Sequence, residues 1–136
     1  MRPDPAADAL RWLRQAERDL GDAEYNLAGD RYSLACFLCQ QAAEKALTAF
    51  LYARGAEQVF GHSVADLGTE CGHFDEAFHA LRPRAAPLDQ YYVPTRYPNS
   101  LPGGIPADAF DESDARRALR LAQEVLQLVR TKLAGP

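Results

Sequence analysis

The chain has 136 residues and a formal net charge of −4, from 15 basic and 19 acidic side chains. That length fits one domain, here taken as residues 1–136, able to bury a core without staples. The charge excludes nucleic-acid binding by bulk positive potential and confines any RNA contact to a local patch. No apolar run reaches the roughly 18 residues of a membrane span, and the first residues lack the apolar stretch of a signal peptide, so a cytoplasmic location is expected.

Ala9, Leu13, Ala16, Leu20, Ala23 and Leu27 recur at steps of four and three. That period predicts an amphipathic helix over about 6–28. Arg11, Arg14 and Arg18 share another face of it, amid Glu17, Asp19, Asp22 and Glu24. Such mixed charge reads first as a solvated, ion-paired face and second as a basic strip for RNA. Gly29-Asp30 predicts a turn, with Asp30 placed to cap the next helix. The second helix is expected over about 31–54, ending at Gly55 and folding back on the first as a hairpin.

This second helix is apolar nearly all round, which predicts a core position or a subunit interface. More apolar surface than a small bundle covers favours a homodimer. Across it runs a polar stripe, Gln41, Glu44, Lys45 and Thr48, at i, i+3, i+4 and i+7. One reading of the stripe is an internal network that fixes helix register. The other is the wall of a site, with Lys45 as a point charge for phosphate and Gln41 as a neutral donor. Cys36 and Cys39 form a Cys-x-x-Cys inside this helix pattern with no second pair. They read as small buried thiols, and no metal or cofactor is expected.

Gly61-His62-Ser63 precedes a short helix expected over 63–70, with Ser63 as its cap. His62 reads either as a loop histidine bonded to a local carbonyl or as a phosphate or base contact at a helix N-terminus. His73 and His79 add no metal-ligand spacing. Another helix is expected over 74–81, interrupted by Pro83, with a short helical piece near 86–91. Pro87, Pro94, Pro98, Pro102 and Pro106 then forbid any long helix. A Pro-rich loop carrying Tyr91, Tyr92, Arg96 and Tyr97 reads as a functional segment. Arg96 suits a phosphate, with Tyr91 or Tyr97 stacking on a base; alternatively Tyr97 docks on the core and Arg96 pairs with an acid. The last helix is expected over 113–133, capped by Asp111 or Ser113, with Arg116, Arg117 and Arg120 in its first turns.

Gln40-Gln41-Ala42-Ala43-Glu44-Lys45-Ala46-Leu47, then Gly61-His62-Ser63, then Thr95-Arg96-Tyr97-Pro98-Asn99, resemble the HEPN domain family in order and approximate spacing. Trp12, Ala16, Asp19 and Leu20 resemble its opening helix, so the likeness runs from about Ala7 to Leu133. The resemblance implies an all-α, up-and-down bundle of four to six helices, with the Pro-rich loop before the last. It also implies association with nucleotides or nucleotidyltransferases. Many members resemble nucleases with an Arg followed by four to six residues and then a His; none of His62, His73 and His79 is so preceded, and Arg54 lies one residue too far from His62. No phosphate-binding Gly-rich loop, nucleophile elbow or nucleotidyltransferase-like carboxylate pair is present.

The resulting expectation is a non-catalytic module that binds a nucleotide or phosphate-bearing ligand through Gln41, Lys45, His62, Tyr91, Arg96 and Tyr97. It would work with a separate minimal nucleotidyltransferase chain, in the manner of a toxin–antitoxin pair. The alternatives are a ribonuclease with a non-standard pair such as Arg96 and His62, and a purely structural dimerisation domain.

Overall fold

A computed structural model of the protein describes residues 4–134. Six helices follow in order: α1 Pro5–Ala28, α2 Tyr32–Ala53, α3 Val64–Gly72, α4 Ala77–Ala85, α5 Pro106–Ala109 and α6 Glu112–Leu133. Two short 3-10 helices, Ala86–Tyr91 and Pro98–Ser100, punctuate the Pro-rich connection. The described residues hold no strand, so the fold is an all-α bundle.

Several helix boundaries have a local cause. Pro5 opens α1 where a missing N–H costs nothing, and the Asp4 side chain accepts from the Ala6 amide. The α1–α2 turn puts Asp30 at φ 62°. Asp30 does not cap α2: its carboxylate accepts from the Tyr32 hydroxyl, and Arg31 begins the helix without a side-chain cap. The left-handed backbone of the turn directs Asp30 away from the first amides. Gly55, at φ 97°, ends α2 as expected. Asp75 accepts from the Ala77 amide, so α4 starts later than the 74–81 pattern predicts. It also continues through Pro83 to Ala85. Pro83 withholds one N–H from the His79 carbonyl, a loss that an exposed last turn tolerates. Asp111 and Asp114 form a reciprocal capping box on α6.

The α1–α2 hairpin is antiparallel: Trp12 packs on Tyr52 and Asp19 meets Lys45. The start of α6 lies near Cys36, and its end shares a groove with Ala53 of α2 and Ala9 of α1. Thus α6 runs parallel to α2. The three long helices pack together around the buried face of α2, whose Cys36, Cys39, Ala42, Ala43, Ala46 and Ala49 are fully buried. Small side chains there let the neighbouring helices approach closely. The α3–α4 pair closes the remaining side; Phe50 meets Phe78 at 4.5 Å, and the Cys71 thiol donates to the Leu47 carbonyl. One chain therefore covers the apolar helix from which a second chain is expected. None of the described helices is long and apolar enough to cross a membrane.

Candidate functional site

The polar residues of α2 divide into two groups. In the first, Gln40 is wholly buried, and its amide donates to the His62 carbonyl at 2.7 Å. The Gln41 amide donates to the Gln40 oxygen at 2.8 Å and to Glu44 Oε2 at 3.2 Å. Glu44 Oε1 meets His62 Nδ1 at 2.8 Å. Backbone and ring of His62 are thus both held by α2, through a closed chain of hydrogen bonds. Burial pushes the Glu44 carboxyl above its ordinary range, opposed by His62, Gln40 and Lys45. A carboxylate on Nδ1 orients the imidazole and leaves Nε2 for a ligand. The His62 side chain is 63% exposed, so that nitrogen is reachable.

The second group faces α1. Lys45 Nζ donates to Asp19 Oδ2 at 2.5 Å, and Gln15 donates to the other oxygen of Asp19 at 2.9 Å. Lys45 therefore secures the hairpin rather than touching His62. Thr48 donates to the Glu44 carbonyl within its own helix. The stripe thus ties α1 to α2 through Lys45 and, with Gln40, holds His62 through Gln41 and Glu44.

The Pro-rich segment supplies the opposite wall. Tyr92 stacks on His62 at 5.2 Å between ring centres, and Phe37 stacks on Tyr92 at 6.2 Å. The Arg96 guanidinium lies 5.7 Å over Phe37. His62, Tyr92, Phe37 and Arg96 make a continuous stack with a cation at its far end. Arg96 has no carboxylate partner among the described residues. Thr95 is buried and its hydroxyl contacts the carbonyls of Tyr91 and Tyr92, which fixes the turn carrying Arg96.

Tyr91 is only 2% exposed and packs edge-on against Phe110, so its ring faces the core; Tyr92 is the ring that meets His62. Tyr97 projects outward, 60% exposed. Of the expected residues, Gln41 and His62 share one network and Arg96 joins them through the stack. Lys45 sits further along the same face of α2, engaged with α1.

Asp89 completes the support, and nothing in its sequence neighbourhood signals the role. Its carboxylate accepts from the amides of Val64 at 2.6 Å and Ala65 at 3.1 Å, and from the Ser63 hydroxyl at 2.8 Å. Ser63 also accepts from the Asp66 amide, the cap its position predicts. The α3 N-terminus beside His62 is thus already occupied by the protein's own carboxylate. Burial pushes the Cys36 and Cys71 thiols up to about 12 and raises Cys39 as well, which disfavours the thiolate a metal or redox role needs.

An exposed imidazole oriented by a buried carboxylate, a guanidinium with no acid of its own, and an aromatic stack between them define a polar site on a helical bundle. The family model of the HEPN domain matches residues 9–132, and the chain belongs to that family. It is similar to the crystal structure of TT1696 from Thermus thermophilus, with TM-score 0.86 and 40% identity over 91% of this chain and 97% of that one. The archaeal HEPN homologue ST0689 is similar with TM-score 0.76 and 35% identity, covering 92% and 97% of the two chains. A toxin candidate of Methanocaldococcus jannaschii, MJ1304, is 27% identical over 128 residues, 88% of this chain and 84% of the relative.

Proposed function

We propose that this HEPN domain is a non-catalytic module that binds a nucleotide or another phosphate-bearing ligand. In this reading it acts as a homodimer beside a separate minimal nucleotidyltransferase, as one half of a toxin–antitoxin pair. The observation that carries the ligand reading is Arg96: a guanidinium without an acid, held by the Tyr92–Phe37 stack that begins at His62. Arginine suits a phosphate by its fork of donors, and the His62 imidazole, at the other end of the stack, offers Nε2 to a separate polar group of the ligand. Likeness to a toxin candidate supports the toxin–antitoxin setting.

Calorimetry with adenine and guanine nucleotides tests the ligand. Arg96→Ala is expected to weaken binding about tenfold, the scale of one charge-assisted hydrogen bond, with the fold intact. Absence of nucleotide binding by the wild type would sink the reading. Mass identification of whatever co-purifies with the native protein tests the partner.

One observation favours a second reading, a ribonuclease. The Glu44 contact to Nδ1 resembles the way a carboxylate orients a general-base imidazole. That reading requires RNA cleavage lost on His62→Ala. With neither ligand nor cleavage, a structural dimerisation role is what remains.

A further inference from the structure

A second site, apart from the His62–Arg96 stack, lies on the outer face of the α1–α2 hairpin. An open cleft of about 770 Å³ is lined there by Arg11, Trp12, Arg14, Gln15, Arg18 and Lys45. Four of these six are cations and none is an acid, in a chain whose net charge is −4. The carboxylates that partner these cations stand at the edges or the floor. Asp8 meets Arg11 and Asp22 meets Arg18, each at 3.4 Å and with the arginine side chain 77% exposed. Asp19 lies beneath Lys45, its side chain only 8% exposed. Arg14 has no ion-pair partner among the described residues. Exposed pairs of this length hold their arginines weakly, so a stronger anion displaces them at little cost.

We propose that this cleft binds the phosphodiester backbone of a single-stranded nucleic acid. The arginines stand at i, i+3 and i+7, a rise of roughly 10 Å along the helix. A lone phosphate engages one or two guanidiniums; three in line suit a run of phosphates. Trp12, anchored 5.9 Å from Tyr52 in the same cleft, supplies an aromatic surface of the kind on which bases stack. A groove of cations with an aromatic in its wall fits sequence-tolerant binding.

The test is fluorescence anisotropy with a labelled oligouridylate of about a dozen nucleotides, over a salt series. Wild type should bind at low salt, with affinity falling as salt rises. Arg14→Ala should make the log–log salt slope shallower by about 0.7, the value of one single-strand phosphate contact. Replacing Arg11, Arg14 and Arg18 together by Gln should make it shallower by about 2 and lower low-salt affinity at least tenfold. Arg14→Lys should keep most of the binding, which separates charge from helix damage, and circular dichroism should show each variant folded. Calorimetric nucleotide binding should persist in all three variants, so failure here is distinguishable from failure at His62 and Arg96. No oligouridylate binding by wild type, an unchanged slope in the triple variant, or equal affinity for a duplex of the same length would overturn the proposal.

Discussion

Glu44 takes a cost at neutral pH that its neighbours only partly offset. Burial raises its carboxyl from the ordinary 4.5, against the pull of His62, Gln40 and Lys45. The unfolded chain therefore loses this proton first as pH rises. The stability Glu44 contributes is full below about 4.5 and is lost as pH climbs through the raised folded value. Urea unfolding across pH, wild type against Glu44→Gln, checks this. The wild type should lose stability relative to the variant as pH rises above 4.5, and parallel curves would refute it. The pattern of residues in α2 already marks Glu44 as part of a polar stripe. Its engagement with His62 is not legible there, because 18 residues separate the two and only the folded α2–α3 connection brings them to 2.8 Å. Tyr91 and Tyr92 make the same point. Composition places an aromatic near Arg96, and packing against Phe110 decides which of the two turns inward.

At the scale of elements, helix existence is largely readable and capping is less so. The 3.6-residue period locates α1, α2 and α6, because each must bury a stripe that repeats along its length. Asp30 and Pro83 depart from expectation for opposite reasons. A capping side chain needs its backbone in an extended conformation, and the turn puts Asp30 elsewhere. A proline inside a helix costs one hydrogen bond and a clash with the carbonyl four residues back, and α4 places it in an exposed last turn where the chain tolerates both. The cap that matters most for His62 comes from Asp89, 25 residues beyond Val64. Replacing Asp89 by Ala leaves two α3 amides without their acceptor and should cost about 1–2 kcal/mol in urea unfolding, with an unchanged dependence on urea. A loss no larger than that from Asp66→Ala, an exposed neighbour on the same helix, would show that the contact contributes little.

For the whole molecule, the apolar α2 is the first reason to expect two chains, and the fold supplies that cover internally through α1, α3 and α6. The proposed homodimer would need other apolar side chains, and Phe60, Val93, Tyr97 and Ile105 remain exposed. Light scattering at micromolar concentration should give twice the chain mass. Changing Phe60 and Tyr97 together to Ser should move the population towards monomer without loss of helix content. A wild-type monomer at that concentration would rule the assembly out.

Sequence by itself determined the long helices, because hydrophobic period and proline placement act locally, and the family resemblance implied their assembly into an all-α bundle. It also determined the family, through the Gln-Gln-Ala-Ala-Glu-Lys-Ala-Leu segment and the Arg-Tyr-Pro turn. Only the tertiary structure decided which polar residues meet. The sequence pattern assigns Lys45 and His62 to one anion; the fold commits Lys45 to Asp19 on α1 and ties His62 to Glu44 beneath the Tyr92 stack. The physical reason is reach. Side chains on one helix face share a direction, but their partners come from whichever element packs there, and that choice belongs to the bundle as a whole.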